Sequence, residues 1–489
     1  MVMSAVDLAT RSATELAGLI RTRDVSAVEV LEATLARIDA LNPSLNAFIS
    51  VDRDRARREA AAADADIRRG EIRGPLVGVP LSIKSSMEVE GQPWETGSAS
   101  RRGIRGTTDG TIVTRLRNAG AIILGVTNVA EQLMAWETVN PLYGRSRNPW
   151  DLTRTPGGSS GGESAAIAAG LSAGGLGSDG GGSIRVPAHF TGICGLKPTP
   201  GRVPATGHFP PCGGPFALTG VVGPMARTVD DVALLLEVMA GPDTGDPNAH
   251  PVPLGSLDDV INDRFESVLE PYEHHPLRVG VFEDDGRTMV EPAIREAIRR
   301  AAQALRDAGV EVIPFQPSWL EEARTLWWEI FGRAVRLLLE SSVVGHEADV
   351  DPNLVEFIEW TKQMPKLTAE RLLDVEIQRD MLRARVLADM RHVPVLLCPV
   401  AAVSAFRHGE REWTIDGQTV RYLDAWSYSA WFNLLQNPGL AVPAGATPSG
   451  LPVGVQVVAR HWEEHVALAV GRIIERGLGG YRPPATHVS

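Results

Sequence analysis

Residues 157–183 read GGSSGGESAAIAAGLSAGGLGSDGGGS. The run holds eleven glycines in 27 positions, against 49 in the 489 residues of the whole chain. A Gly/Ser linker would join two self-contained units. Here a helix-forming core at 164–169 is embedded in the run, and the apolar IRVPAHFTGICGLKP (184–198) follows without a break. Glycine at this density therefore predicts backbone N–H groups brought close to a ligand, because no Cβ obstructs the approach.

Two short patterns inside the run point elsewhere. GLGSDG (175–180) matches GxGxxG, but a dinucleotide site needs a helix opening at the last glycine. Gly181, Gly182 and then Pro187 follow instead, and the chain has no Walker A phosphate loop. GGSSG (157–161) matches the nucleophile elbow of α/β-hydrolases, which would make Ser159 the nucleophile. That elbow requires an apolar strand directly before it, whereas NPWDLTRTP (148–156) is polar and ends in proline. The elbow stands as an alternative.

Outward from the run, helices and strands alternate. Residues 8–66 read as helices with apolar positions at three- and four-residue spacing, interrupted near 24–26 and stopped at Asn42-Pro43. PLVGVPLSIK (75–84) predicts a strand, and GTIVTRLRNAGAIILGVTN (110–128) a helix, a turn and a buried strand. Residues 276–315 form a further strand–helix–strand unit, and 318–392 are mostly helical. Strand character returns at 393–402 and 451–459, and a helix follows Glu463. The pattern predicts an α/β fold with a large mixed sheet covered by helices on both faces. One domain is expected over 1–489. It comprises N-terminal helices (1–66), a catalytic core (67–245), a variable helical insertion covering the site (276–395), and a C-terminal part completing the core (396–489).

Composition narrows the function classes. With 44% hydrophobic and 22% charged residues there is ample core and no signature of disorder. A net charge of −12 argues against nucleic-acid binding, which would show a basic face. Three scattered cysteines, Cys194, Cys212 and Cys398, predict neither a disulfide framework nor a zinc site. Without a signal-peptide pattern or a long apolar run, a soluble cytoplasmic protein is expected.

Only four of the 48 basic residues are lysines: Lys84, Lys197, Lys362 and Lys366. Arginine cannot lose its proton in a protein, whereas a desolvated lysine can and then serves as a base. Lys362 and Lys366, in a polar stretch before a helix, read as chance survivors, which leaves Lys84 and Lys197 as candidates.

The full span GGSSGG…GSDGGGSIRVP, taken with Lys84 in VPLSIKSS, resembles the amidase signature family of serine hydrolases. Supporting stretches are GVTNVAEQL, NPLYGRSRNPWD, GLKPTPGRVP, VVGPMARTVDD, NPGLAVPAG and GLPVGVQVV, so the resemblance covers most of the chain. It implies the amidase signature fold and a Ser–cisSer–Lys triad. Lys84 is then the catalytic lysine, Ser159 the bridging serine after a cis peptide at Gly158, and Ser183 the nucleophile. Gly180, Gly181, Gly182 and the Ser183 amide fall on the oxyanion-hole positions, and Leu133 and Met134 on acyl-pocket positions. Many relatives carry Asp or Asn directly after IK, where this chain has Ser85.

The residues themselves suit those roles. A serine hydroxyl is a weak nucleophile without an adjacent base. A lysine needs its pKa lowered by roughly 2–3 units from about 10.4 to act near pH 8, which burial can supply. Ser82, Ser85 and Ser86 are expected to donate to Lys84, and Arg185 to pair with Asp179 and hold the loop. His189 and His208 read as packing or surface histidines, and Cys194 as a small buried residue. Eight of the eleven tryptophans lie beyond residue 318, among them Trp413, Trp426 and Trp431. These could line a hydrophobic entrance, with the 207–215 loop as another wall.

The expected activity is hydrolysis of C–N bonds in small amides and anilides through an acyl-enzyme, extending to esters and carbamates. No cofactor, metal, nucleic acid or membrane is expected, and the chain should be a monomer or homodimer. Two further alternatives are the glutaminase component of a tRNA-dependent amidotransferase and a silent binding protein on the same scaffold.

Overall fold

The computed structural model describes residues 5–211, 213–261 and 277–485. Cys212 and residues 486–489 lie outside the described residues, as does the start of the strand expected from 276. The chain builds one mixed sheet of eleven strands and a separate two-stranded ribbon. In chain order the strands are β1 (Phe48–Val51), β2 (Pro80–Lys84), β3 (Ile122–Thr127), β4 (Gly174–Asp179), β5 (Cys194–Lys197), β6 (Val221–Ala226), β7 (Arg278–Val281), β8 (Glu311–Pro314) and β9 (Val395–Pro399). The ribbon is β10 (Glu412–Ile415) and β11 (Gln418–Arg421), and the long hairpin β12 (Gly439–Ala446) and β13 (Pro452–Ala459) completes the set. The spatial order is β1-β3-β2-β4-β6-β5-β12-β13-β9-β7-β8.

Parallel pairs sit toward both flanks. β2 runs parallel to β3 and β4, and β7 runs parallel to β8 and β9. The strands between them pair antiparallel. β2, β3 and β4 are buried along their whole length, as expected of parallel strands covered by helices. The strand–helix–strand unit of 276–315 joins this sheet through β7 and β8. The helix Glu464–Leu478 packs on β12, and Pro292–Asp307 packs on β12 and β13.

Local expectations fail in identifiable places. The N-terminal helices are Ala13–Thr22, Ala27–Leu45 and Arg53–Arg69, the first two started by Ser12 and Ser26 capping boxes. Pro43 does not stop the second helix; it sits in the last turn. There the chain turns because Asn42 Oδ1 accepts the amides of Ala47 and Phe48. β1, in the short stretch between two helices where no strand is expected, follows at once and pairs with β3. The strand expected over 75–84 begins only at Pro80. GLGSDG, the GxGxxG match, lies largely in strand β4 rather than in a phosphate loop. Turns and single bridges, rather than a strand, precede Gly157, so the elbow geometry is not met.

Candidate active site

Because β3, β2 and β4 run parallel, their carboxyl ends align, a recurrent location for ligand sites in such sheets. Lys84 ends β2 and lies in register with Thr127, which ends β3; Asp179 ends β4. The Lys84 side chain is completely buried. Its Nζ lies 2.8 Å from Ser159 Oγ, 3.0 Å from Ser178 Oγ and 3.2 Å from the Ser178 carbonyl oxygen. Burial pushes Lys84 down to about 7, against the opposing pull of the Asp179 and Glu163 carboxylates.

The expectation that Ser82, Ser85 and Ser86 serve Lys84 is corrected. Ser82 shares a strand face with Lys84 but stands two residues back, roughly 6–7 Å along β2, and donates instead to Glu163 Oε1 at 2.6 Å. The hydroxyl oxygens of Ser85 and Ser86 have no partner among the described residues. Ser178, within the quoted GSDGGGS yet given no role from sequence, takes that place. Glu163 also accepts from Thr127 at 2.7 Å, and burial raises its carboxyl to about 7.

Ser159 follows a cis Gly158–Ser159 peptide and precedes the helix Gly161–Ala168. Ser183 and Ser159 line the same cavity, and the Ser160 amide donates to the Ser183 carbonyl at 3.2 Å. Asp179 and Arg185 are both fully buried and paired at 2.9 Å. Arg185 also reaches Gln456 and Asn433, each at 2.6 Å, and the Ser429 carbonyl at 2.9 Å. Burial alone would raise the Asp179 carboxyl. The Arg185 charge and the amides of Gly182 and Ile184 overcome that and hold it well below the usual carboxylate range. The turn carrying Ser183 is thus anchored to an internal charge pair.

The glycine amides divide into two sets. Gly182 donates its N–H to Asp179 Oδ1 at 2.7 Å, so that amide is already committed. The amides of Gly180, Gly181 and Ser183 make no hydrogen bond among the described residues, and all three residues line the cavity. Gly182 has φ +112°, a value that favours glycine, and a Cβ there would stand 2.8 Å from Ser429 Cβ.

The cavity is about 310 Å³ and mainly apolar. Leu133 and Met134 lie in one wall. Gln132 and Leu133 hold positive φ values of 51° and 67° there, supported by the Gln132 amide bonding to the Thr96 carbonyl. The helical segment contributes Phe331, Val335, Leu339 and Phe357, and Met134 packs against this group. The entrance expected from the tryptophans is corrected, for none of the eight beyond residue 318 lines this cavity. Trp426 is buried and stacked 5.2 Å from Trp136, and Trp413 packs on Phe406. Trp136, from the first half of the chain, does line it. His208, Phe209, Pro210 and Pro211 supply the wall expected of the 207–215 loop. His189 and His208 are buried, and burial lowers both to about 4, so both are neutral near pH 7.

A lysine lowered by burial and touching Ser159, with Ser183 and free backbone amides on the same cavity, can move a proton between hydroxyls and stabilise an oxyanion. The comparisons with known proteins agree with that chemistry. The family model described as Amidase matches residues 29–468. An acylamidase of Rhodococcus erythropolis is 35% identical, with 94% of this chain and 93% of that protein covered. An indoleacetamide hydrolase of Bradyrhizobium diazoefficiens is 33% identical, covering 96% of this chain and 86% of that protein. The crystal structure of a bacterial aryl acylamidase of the amidase signature family superposes with a TM-score of 0.83 at 26% identity, over 96% of each chain. The chain belongs to the amidase family.

Among the described residues no group of histidine, cysteine and acidic side chains is arranged to hold a metal. No described helix is long and apolar enough to cross a membrane.

Proposed function

We propose that the protein is a serine amidohydrolase in which Ser183 attacks the carbonyl of a small amide or anilide. The observation that carries this reading is the fully buried Lys84 Nζ, 2.8 Å from the Oγ of Ser159, a residue that lines the same cavity as Ser183. Ser183 passes its proton to Ser159 as Ser159 passes its own to neutral Lys84. The oxyanion forms against the amides of Gly180, Gly181 and Ser183. On collapse the proton returns through Ser159 to the departing amine, and water then releases the acid by the same relay. Each oxyanion donor is worth roughly 3–4 kcal/mol in other hydrolases.

The same carbonyl geometry accepts esters and carbamates. A carbamate gives a carbamoyl-enzyme that water converts to an amine and carbon dioxide after the alcohol leaves. The cavity wall favours neutral, apolar substrates. Among the lining residues Asp179 is the sole carboxylate, no lysine or arginine is present, and the Asp179 charge is met by Arg185. Free glutamine, with an ammonium and a carboxylate, finds no counter-ions there, which disfavours the glutaminase reading. One domain with the catalytic core at 67–245 suffices for this chemistry, and no cofactor enters it.

The test is labelling with a fluorophosphonate followed by peptide mapping of wild type, Ser183→Ala, Ser159→Ala and Lys84→Ala. An adduct on Ser183, lost in the first variant and slowed in the other two, is the expected result. An adduct on Ser159 that ignores Lys84→Ala restores the elbow hydrolase. For the carbamate extension, a dicarbamate of an aromatic diamine should release amine above background, and none released removes carbamates from the substrate range.

A further inference from the structure

The glycine run has no Cβ atoms to hold it, yet an oxyanion hole must be rigid before the charge forms. In a trans peptide the C=O and the following N–H point in opposite directions, so fixing one fixes the other. The Trp327 indole Nε1 faces the Gly180 carbonyl oxygen at 3.4 Å, which turns the Gly181 N–H away from that tryptophan. Trp136 Nε1 donates to the Gly181 carbonyl at 2.9 Å, and the N–H of that same peptide, on Gly182, is held by Asp179. The Val186 amide donates to the Gly182 carbonyl at 2.7 Å, leaving the Ser183 N–H on the other side. Three consecutive carbonyls are thus taken up, and the two flanking amides that remain belong to cavity-lining residues.

Both indoles are themselves fixed. Trp136 stacks on Trp426, and its own amide donates to the Tyr422 hydroxyl at 3.0 Å. Trp327 stacks on Phe331 at 4.5 Å and 15°. Its ring lies so close to Gly181 that a Cβ there would be 2.7 Å from Cζ2. Trp327 closes the helix Leu320–Trp327, just before the π-helical turn Trp328–Gly332 that carries Phe331 into the cavity wall.

We propose that Trp136 and Trp327 are positioning residues for the oxyanion-binding amides: Trp327 sets the Gly181 amide by holding the Gly180 carbonyl, and Trp136, by holding the Gly181 carbonyl, fixes the Gly181–Gly182 peptide that joins the two donor peptides. The inference rests on Ser183 being the nucleophile. It assigns the helical segment beyond residue 318 a part in catalysis as well as in shaping the cavity, because Phe331 touches both the substrate space and Trp327.

The experiment measures fluorophosphonate labelling of Ser183 in the full chain, separating the maximal rate of phosphonylation from the half-saturating probe concentration. In this reaction the Ser183 oxygen bonds to phosphorus, fluoride leaves, and the phosphoryl oxygen occupies the oxyanion site. Trp136→Phe keeps an aromatic ring but loses the N–H, and should lower the maximal rate about 10- to 100-fold. Half-saturation should stay within about twofold, since the donor acts on the transition state. Trp327→Phe should do the same to a smaller degree, its contact being longer. Trp431→Phe is the control, because that buried indole N–H has no partner among the described residues. Unchanged rates in both tether variants, or an equal loss in Trp431→Phe, overturn the inference. Wild type without a Ser183 adduct overturns the nucleophile assignment and the inference together.

Discussion

Lys84 and Lys197 are both completely enclosed, and burial pushes each down to about 7. They end two strands of the same sheet, β2 and β5. Their surroundings differ sharply. Lys84 meets the hydroxyls of Ser159 and Ser178, both of which line the cavity, whereas Lys197 donates only to the Pro198 carbonyl, at 3.0 Å, among the described residues. A lowered pKa is therefore a property of burial that many cores produce. It becomes chemistry only where a hydroxyl and a space for substrate adjoin the amine.

The strongest way to break this contrast is to remove the groups one at a time. Ser183→Ala should lose roughly 10³- to 10⁶-fold in hydrolysis of a nitroanilide, by analogy with other serine hydrolases. Lys84→Met should follow with a loss of about 10²- to 10⁴-fold, the usual worth of a general base. Lys197→Met should keep activity within about threefold of wild type; an equal loss would mean that the two lysines are not functionally distinct.

The pH dependence sharpens the same comparison. Activity should rise with pH through about 7, as Lys84 loses its proton, and this limb should persist in Lys197→Met. Stability behaves differently. Both lysines bind a proton less well in the folded chain than in the unfolded one, where the pKa is about 10.4. The unfolded chain therefore holds more protons between about 7 and about 10.4, and stability rises with pH across that window. Urea melts from about pH 6 to about pH 10 should show this rise flattened by either Lys84→Met or Lys197→Met. A rise that neither substitution alters would show that these lysines do not carry it.

A smaller effect tests the wall. Phe331→Ala opens the cavity on the side of the helical segment and should shift preference toward bulkier acyl groups by about 10- to 200-fold in relative kcat/KM. Measuring a series of anilides of increasing acyl size decides it, since a uniform loss across the series would make Phe331 a packing residue only.

Much of the site was legible in the sequence for a physical reason. Lysine is retained at 84 in a chain that otherwise uses arginine, and the glycine run leaves room that only glycine can leave. The buried strands and their terminal residues follow from apolar runs bounded by turn signals. Ser178 was missed because its hydroxyl reaches Lys84 across a strand pairing, whose partner and register local sequence does not display. β1 was missed because four residues carry too short a periodicity to stand out between two helices.

By itself the sequence determined the chemistry available: a deprotonatable amine encoded by residue type, and two serines and a Cβ-free turn encoded by residue type and close spacing. Tertiary structure alone decided what surrounds them. Gly181 finds Trp136 from 45 residues away and Gly180 finds Trp327 from 147 residues away. Phe331, Val335, Leu339 and Phe357 come to line the same cavity as Leu133 and Met134. Such pairings depend on how an eleven-stranded sheet and its helices close on each other, and any buried aromatic residue reads the same in sequence whether it faces a substrate or a core.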